Sequence, residues 1–175
     1  MSKLIARRVL FVVALALAPT AAHATFILFT ATLIGSQEVP PNASPATGFG
    51  TVLLDDVLRT ITVNESWTGL TAPATASHIH GPGAPGIIAS ILFPFAGVPA
   101  ATAGSIPQQV FAITLAQIAQ LEAGLFYMNV HDRNFPGGEI RGQLQAVPEP
   151  MTLALLAFGS IAAFWVRRRD GSRPS

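Results

Sequence analysis

Hydrophobic and polar positions divide the chain into three stretches. Residues 9–18 and 151–166 are apolar runs without a charged residue, one near each end. Between them lie short segments in which apolar and polar positions alternate, separated by clusters of Gly, Pro, Asn and Asp. A period of two puts successive side chains on opposite faces of a strand. The segment from Phe26 to Ile34, rich in Phe, Ile, Thr and Leu, reads as a strand. Residues 48–54 and 58–63 flank Asp55-Asp56, a hairpin turn, and residues 67–70 form a short strand or strand end. Residues 77–80 lead into Gly81-Pro82-Gly83-Ala84-Pro85-Gly86, the strongest turn signal in the chain. Residues 87–93 and 110–113 read as further strands. In residues 125–131, Phe126, Met128 and Val130 fall on one face and Tyr127, Asn129 and His131 on the other. In residues 139–144, Ile140 and Leu144 lie opposite Glu139, Arg141 and Gln143.

The spacing predicts one helix. Thr114 is its N-cap, with Gln117 completing a capping box, and Gly124 supplies a left-handed C-cap. Leu115, Ile118, Ala119 and Leu121 fall near one face of it. About eight short strands with frequent turns predict a mainly β domain, an antiparallel β-sandwich with one short helix. Residues 25–147 are enough for one modest core. The absence of cysteine excludes a disulfide scaffold, thiolate metal sites and a cysteine nucleophile.

Charge separates the middle from the ends. Lys3, Arg7 and Arg8 precede the first apolar run, and Arg167, Arg168, Arg169 and Arg173 follow the second. The middle keeps three arginines against seven carboxylates and has no lysine. That sign excludes nucleic acid as a partner, because such binding needs basic groups to displace counterions. The N-terminus reads as a signal peptide, residues 1–24: a positive start, a short apolar run, and Ala22-His23-Ala24 as the cleavage site. The partner implied is the Sec export machinery. At the other end, residues 151–166 span about 24 Å as a helix, short of the ~30 Å hydrocarbon core. Trp165 and the snorkelling arginines make up part of the difference. Arg167, Arg168 and Arg169 act as the stop-transfer signal that stays in the cytoplasm.

Pro148-Glu149-Pro150, the apolar run and the arginine cluster, in that order, resemble the PEP-CTERM sorting signal of Gram-negative bacteria, here residues 148–175. The resemblance implies an exosortase-like processing enzyme that cuts at the motif and releases or re-anchors the protein. It implies localisation in the cell envelope or extracellular matrix, with a transient inner-membrane anchor and extracellular polysaccharide as a neighbour.

The chemistry-bearing residues gather in two segments, Ser77-His78-Ile79-His80 and Asn129-Val130-His131-Asp132. On a strand, His78 and His80 share one face and Ile79 takes the other. A third histidine from a second strand, His131, would complete a site suited to copper or zinc, which neutral imidazole binds well. Asp132 and Glu139 are possible additional ligands or members of a polar network. The alternative is a purely structural one, in which these histidines tie two loops by hydrogen bonds. No catalytic residues are assigned. Ser77 beside His78 is not a triad, there is no Gly-x-Ser-x-Gly elbow, and a Glu38–Glu139 pair has no spacing to support it.

Four ordered motifs resemble the CHRD domain, the repeat named from chordin. They are residues 31–41, residues 77–83, residues 127–132, and Pro136-Gly137-Gly138-Glu139-Ile140-Arg141-Gly142-Gln143-Leu144. Gly83 and Asp132 depart from that family's usual residues. The resemblance implies an immunoglobulin-like β domain and leaves its biochemistry open. A fainter analogy is to copper/zinc superoxide dismutase, whose bridging histidine, zinc-ligating aspartate and cysteines have no match here. Two functions stand after this reading. One is an exported, non-enzymatic β-sandwich without a cofactor. The other is a copper- or zinc-binding metalloprotein, redox-active in its strongest form, using His78, His80 and His131.

Overall fold

The computed structural model describes residues 26–148. The signal peptide with Ala22 and Ala24, Glu149 and Pro150, the run 151–166 and Arg167, Arg168 and Arg169 lie outside the described residues. Among the described residues ten strands and one α-helix follow in the order β1 (Phe26–Ile34), β2 (Thr47–Asp55), β3 (Thr60–Thr68), β4 (Ala74–His80), β5 (Ile91–Pro94), β6 (Gly104–Ser105), β7 (Gln109–Ala112), α1 (Leu115–Glu122), β8 (Tyr127–Asp132), β9 (Ile140–Gln143) and β10 (Gln145–Ala146). Among the described residues no helix is long and apolar enough to cross a membrane.

The strands form one curled antiparallel sheet in the order β5-β4-β8-β9-β1-β2-β3-β6, with β7 also on β3 and β10 on β1. The link between β9 and β1 is a single bridge, Ile34 opposite Arg141. The sheet folds there into two layers. Phe29, Leu33, Val52, Leu54, Ile61 and Val63 from one layer meet Ile79, Met128, Val130 and Ile140 from the other, all fully buried. At Gly50 the Met128 sulfur packs so closely against the backbone that a Cβ would force the methionine side chain to shift. Phe93 of β5 and Phe111 of β7 close the open side with ring centroids 5.3 Å apart.

The strand read at Phe26–Ile34 and the alternation predicted on β8 and β9 are observed, and Ile79 turns inward between His78 and His80. The helix carries the full capping box at Thr114 and Gln117, and Gly124 takes φ +70°. It seals one end of the core with Ile118 and Leu121, while Leu115 stays exposed.

Three strand readings change. The third strand does not stop at residue 63 but continues through Asn64-Glu65-Ser66 to Thr68. Its inward positions run Ile61, Val63, Glu65, Trp67, so a buried carboxylate interrupts the hydrophobic pattern without breaking the strand. The strand expected over residues 87–93 begins only at Ile91, and Ile87 and Ile88 sit exposed in the loop before it. The two-residue strands β6 and β10 are too short to leave a periodic signal.

Candidate metal centre

The inward side of β4, β8 and β9 builds the core, and their outward side builds the site. Register sets two rows across the three strands. His78 lies opposite Asn129, which lies opposite Arg141, and His80 lies opposite Tyr127, which lies opposite Gln143. His131 lies opposite Ala76, one step diagonally from His78. The loop of residues 81–90 is laced over this face. Arg141 donates to the Ile87 carbonyl at 3.0 Å, Gln143 Nε2 to the Gly83 carbonyl at 2.8 Å, and the Ala89 amide to the Tyr127 hydroxyl at 3.1 Å. The Arg141 guanidinium sits 3.4 Å from the centre of the Tyr127 ring, and His80 stacks on Tyr127 with ring centroids 4.9 Å apart. The Gly/Pro-rich run is therefore a cover, held by side chains of the sheet beneath it.

His78, His80 and His131 each bring a ring nitrogen into a group whose members lie within 4.8 Å of one another. His80 Nδ1 is 2.9 Å from the Ala89 carbonyl oxygen, and His131 Nδ1 is 3.0 Å from that of Pro136. A carbonyl oxygen only accepts, so in each neutral ring Nδ1 carries the proton and Nε2 offers a lone pair. The buried Nε2 of His80 has no hydrogen-bond partner among the described residues. Nε2 of His131 faces His78 Nδ1 at 3.2 Å and the Asn129 amide oxygen at 3.0 Å. Two lone-pair acceptors, Nε2 and the amide oxygen, thus meet with no proton between them. Burial, with the neighbouring imidazoles adding to it, pushes His78 down to about 4. Burial likewise lowers His80 and His131, so all three rings are neutral at pH 7.

Asp132 and Glu139, the other two candidates, form a separate network. Asp132 accepts from the Ala72 amide at 2.7 Å and the Phe135 amide at 2.6 Å. Glu139 accepts from the Thr71 amide at 2.9 Å and the Ser44 hydroxyl at 2.5 Å. Burial and the neighbouring Asp132 raise Glu139. Burial also pushes Asp132 upward, but hydrogen bonds from Glu139, Phe135, Thr71 and Ala72 outweigh it and leave it lowered. The pair ties the β3–β4 loop to the β8–β9 loop and stands apart from the three histidines.

Glu65 escaped the sequence reading, and Glu38, weighed there only as a partner of Glu139, has a different place. Glu38 lines a cavity of about 350 Å³ together with Arg141, Pro41 and Pro85, and one of its buried oxygens has no partner among the described residues. Burial raises it to about 7, against the pull of Arg141, the Val39 amide and Asn129. Glu65 is 2% exposed. Burial raises it to about 8, opposed only by the Ser77 hydroxyl. The signal for Glu65 was its place in an inward row; Glu38 left none, because its loop has no period.

The four ordered motifs of the sequence all converge on this outward face or on the loops that cover it. A family model for the CHRD domain matches residues 29–144, and one for the PEP-CTERM protein-sorting motif matches residues 146–169. The chain belongs to the CHRD domain family. No curated protein and no solved structure matches it. In this CHRD domain the first motif carries Glu38 to the cavity, the second and third supply the histidines, and the fourth places Arg141 and Gln143 under the cover. The sorting motif marks the protein as exported and envelope-associated, a substrate of an exosortase-type enzyme.

Proposed function

We propose that this CHRD domain is an exported metal-binding module, in which His78, His80 and His131 hold a copper or zinc ion. The observation that carries the reading is the pinning of two rings through Nδ1–H to main-chain carbonyls, which leaves their Nε2 lone pairs in one small group. Such outer hydrogen bonds fix the tautomer and raise the basicity of a metal-ligating imidazole. An orphaned acceptor at His80 and an acceptor–acceptor contact at His131 are costs in the metal-free protein that a cation removes. Three neutral imidazoles without thiolate suit copper and zinc alike. Export through the Sec machinery with cleavage after Ala24, and an inner-membrane anchor at residues 151–166, complete the proposal.

The test is thermal melting of wild type and His78→Ala, each with and without copper or zinc. A ligand that binds only the folded state adds about 2.7 kcal/mol at a hundredfold excess over its Kd. The wild-type curve should rise with metal and the His78→Ala curve should not. A wild-type curve unmoved by either metal overturns the metal site and leaves the histidines as a structural network.

A further inference from the structure

The turn between β2 and β3 has the wrong composition for a solvated tip. Hairpin turns favour Gly, Asn, Asp and Ser, yet Val57 and Leu58 stand at this one, 55% and 72% exposed. The backbone does not require them there. Asp55 Oδ1 accepts from the Val57 amide at 3.1 Å and the Leu58 amide at 2.8 Å, so the turn is closed by the aspartate and both apolar side chains point outward. Phe26 lies directly opposite Asp55 and is 52% exposed. Leu28 and Leu53 form the next outward apolar pair, also exposed.

The chain leaves the domain at this same end. β10 runs antiparallel to β1, Ala146 opposite Phe29, and the Val147 amide then donates to the Leu28 carbonyl at 2.8 Å. The direction of travel is toward Phe26 and the Val57–Leu58 tip. Four residues further on, at Met151, the uncharged run 151–166 begins. Four extended residues reach at most about 14 Å. The nine-residue strands β2 and β3 are about 30 Å long. If the run 151–166 enters the hydrocarbon, the tether is too short to hold the far end of the domain at the bilayer. It holds this apolar end there, and the headgroup layer on each face is only about 5–8 Å deep.

We propose that the Val57–Leu58 tip, with Phe26 and Leu28, docks on the lipid bilayer while the sorting tail anchors the protein. The docking rests on the anchor reading given above. Among the described residues, Asp55 and Asp56 flank the tip and Arg59 is the only cation there. The contact is therefore apolar rather than an attraction to anionic headgroups, and zwitterionic lipid suffices. The docked domain stands with β2 and β3 rising from the membrane. Its opposite end, with Thr68 and the loops of residues 35–46 and 133–139, faces away.

The chain contains no cysteine, so a single thiol can be placed at will. The full chain carrying Leu58→Cys, labelled with an environment-sensitive fluorophore, is reconstituted into phosphatidylcholine vesicles. Val57→Cys is a second tip probe and Thr68→Cys the far-end control. All three positions are exposed, so none threatens the fold. The expected result is blue-shifted emission at the two tip positions, quenched by spin-labelled lipid and unchanged by salt, with the Thr68 probe in water. If the protein floats with the vesicles but the tip probes behave like the Thr68 probe, the docking proposal is overturned and the anchor stands. If the protein does not float with the vesicles, the anchor reading fails and the docking falls with it.

Discussion

Glu65 makes the stability of this domain fall as pH rises through neutrality. Ser77 Oγ has a single proton and two oxygen neighbours, the Glu65 carboxyl and the Asn129 carbonyl at 2.8 Å. One proton cannot serve both acceptors at once, and Glu65 in its acid form resolves this by donating to the hydroxyl, which leaves the hydroxyl proton for the carbonyl. Burial agrees with this, since it raises Glu65 from 4.5 to about 8. Between those two values the folded chain holds a proton that the unfolded chain has released. Stability therefore declines with increasing pH, by about 1.4 kcal/mol for each unit. The buried histidines act in the opposite sense, but only below the unfolded value of 6.5, because above it they are neutral in both states. Glu38, raised to about 7, adds to the decline only up to that pH. From pH 7 to pH 8 Glu65 dominates. Glu65→Gln keeps the shape of the protonated acid and removes its titration. Urea unfolding of both proteins at pH 5, 6, 7 and 8 measures the difference. The variant should gain on wild type by about 1.4 kcal/mol per unit from pH 5 to pH 7 and by about 1 kcal/mol from pH 7 to pH 8, where Glu65 begins to ionise in the folded state. A difference that stays constant from pH 5 to pH 8 would refute the assignment of a buried, protonated Glu65.

Other outcomes follow from the same geometry. Gly138 holds φ +128°, and a Cβ there would run into the Glu38 carboxyl and the Asn129 amide, so Gly138→Ala should cost about 1–3 kcal/mol in a melting comparison. Gly137→Ala, with nothing within 4 Å, is the control and should leave the melting point nearly unchanged. If the histidines bind zinc, its affinity by calorimetry should fall less between pH 7 and pH 5.5 than that of a site built from exposed histidines, since burial lowers all three rings. Glu149→Ala should leave an uncut, membrane-bound form accumulating in cells, and mass spectrometry of the secreted wild type should find Thr25 as its first residue and residues 151–175 gone.

Much of the fold was legible because its strands obey one rule, inward apolar and outward polar. β8 and β9 carry it, β1 carries it from Phe29 to Leu33 but leaves Phe26 and Leu28 apolar and outward, and α1 announces itself through Thr114, Gln117 and Gly124. The rule fails where the inward residue is Glu65, whose burial depends on a hydroxyl from β4 that local sequence does not show. It misleads at Ile87 and Ile88, whose carbonyl and backbone serve the cover over Arg141 rather than a sheet ladder. The histidines were legible as a set because His78 and His80 share a strand face and His131 lies on a strand with the same alternation. Their separation from Asp132 and Glu139 was not, because it depends on which loops those carboxylates tie. Glu38 comes to Arg141 from the C-terminal end of a single 3-10 turn, Gly35–Gln37, and no spacing along the chain encodes that meeting.

The diagonal placement of His131 beside His78 has a consequence for when the site can exist. The two residues are 53 positions apart. Closing a loop of that length costs about 3.5 kcal/mol of chain entropy, met by the pairing of β4 with β8 and not by any metal. A chain crossing a membrane unfolded has His78 on one side while His131 is still on the other. The three nitrogens meet only once the last of these strands has crossed and paired. If the histidines hold an ion and the chain is exported unfolded, as proposed, that ion is drawn from the compartment where the domain folds, and the supply of copper or zinc outside the cytoplasm, rather than that within it, decides the occupant.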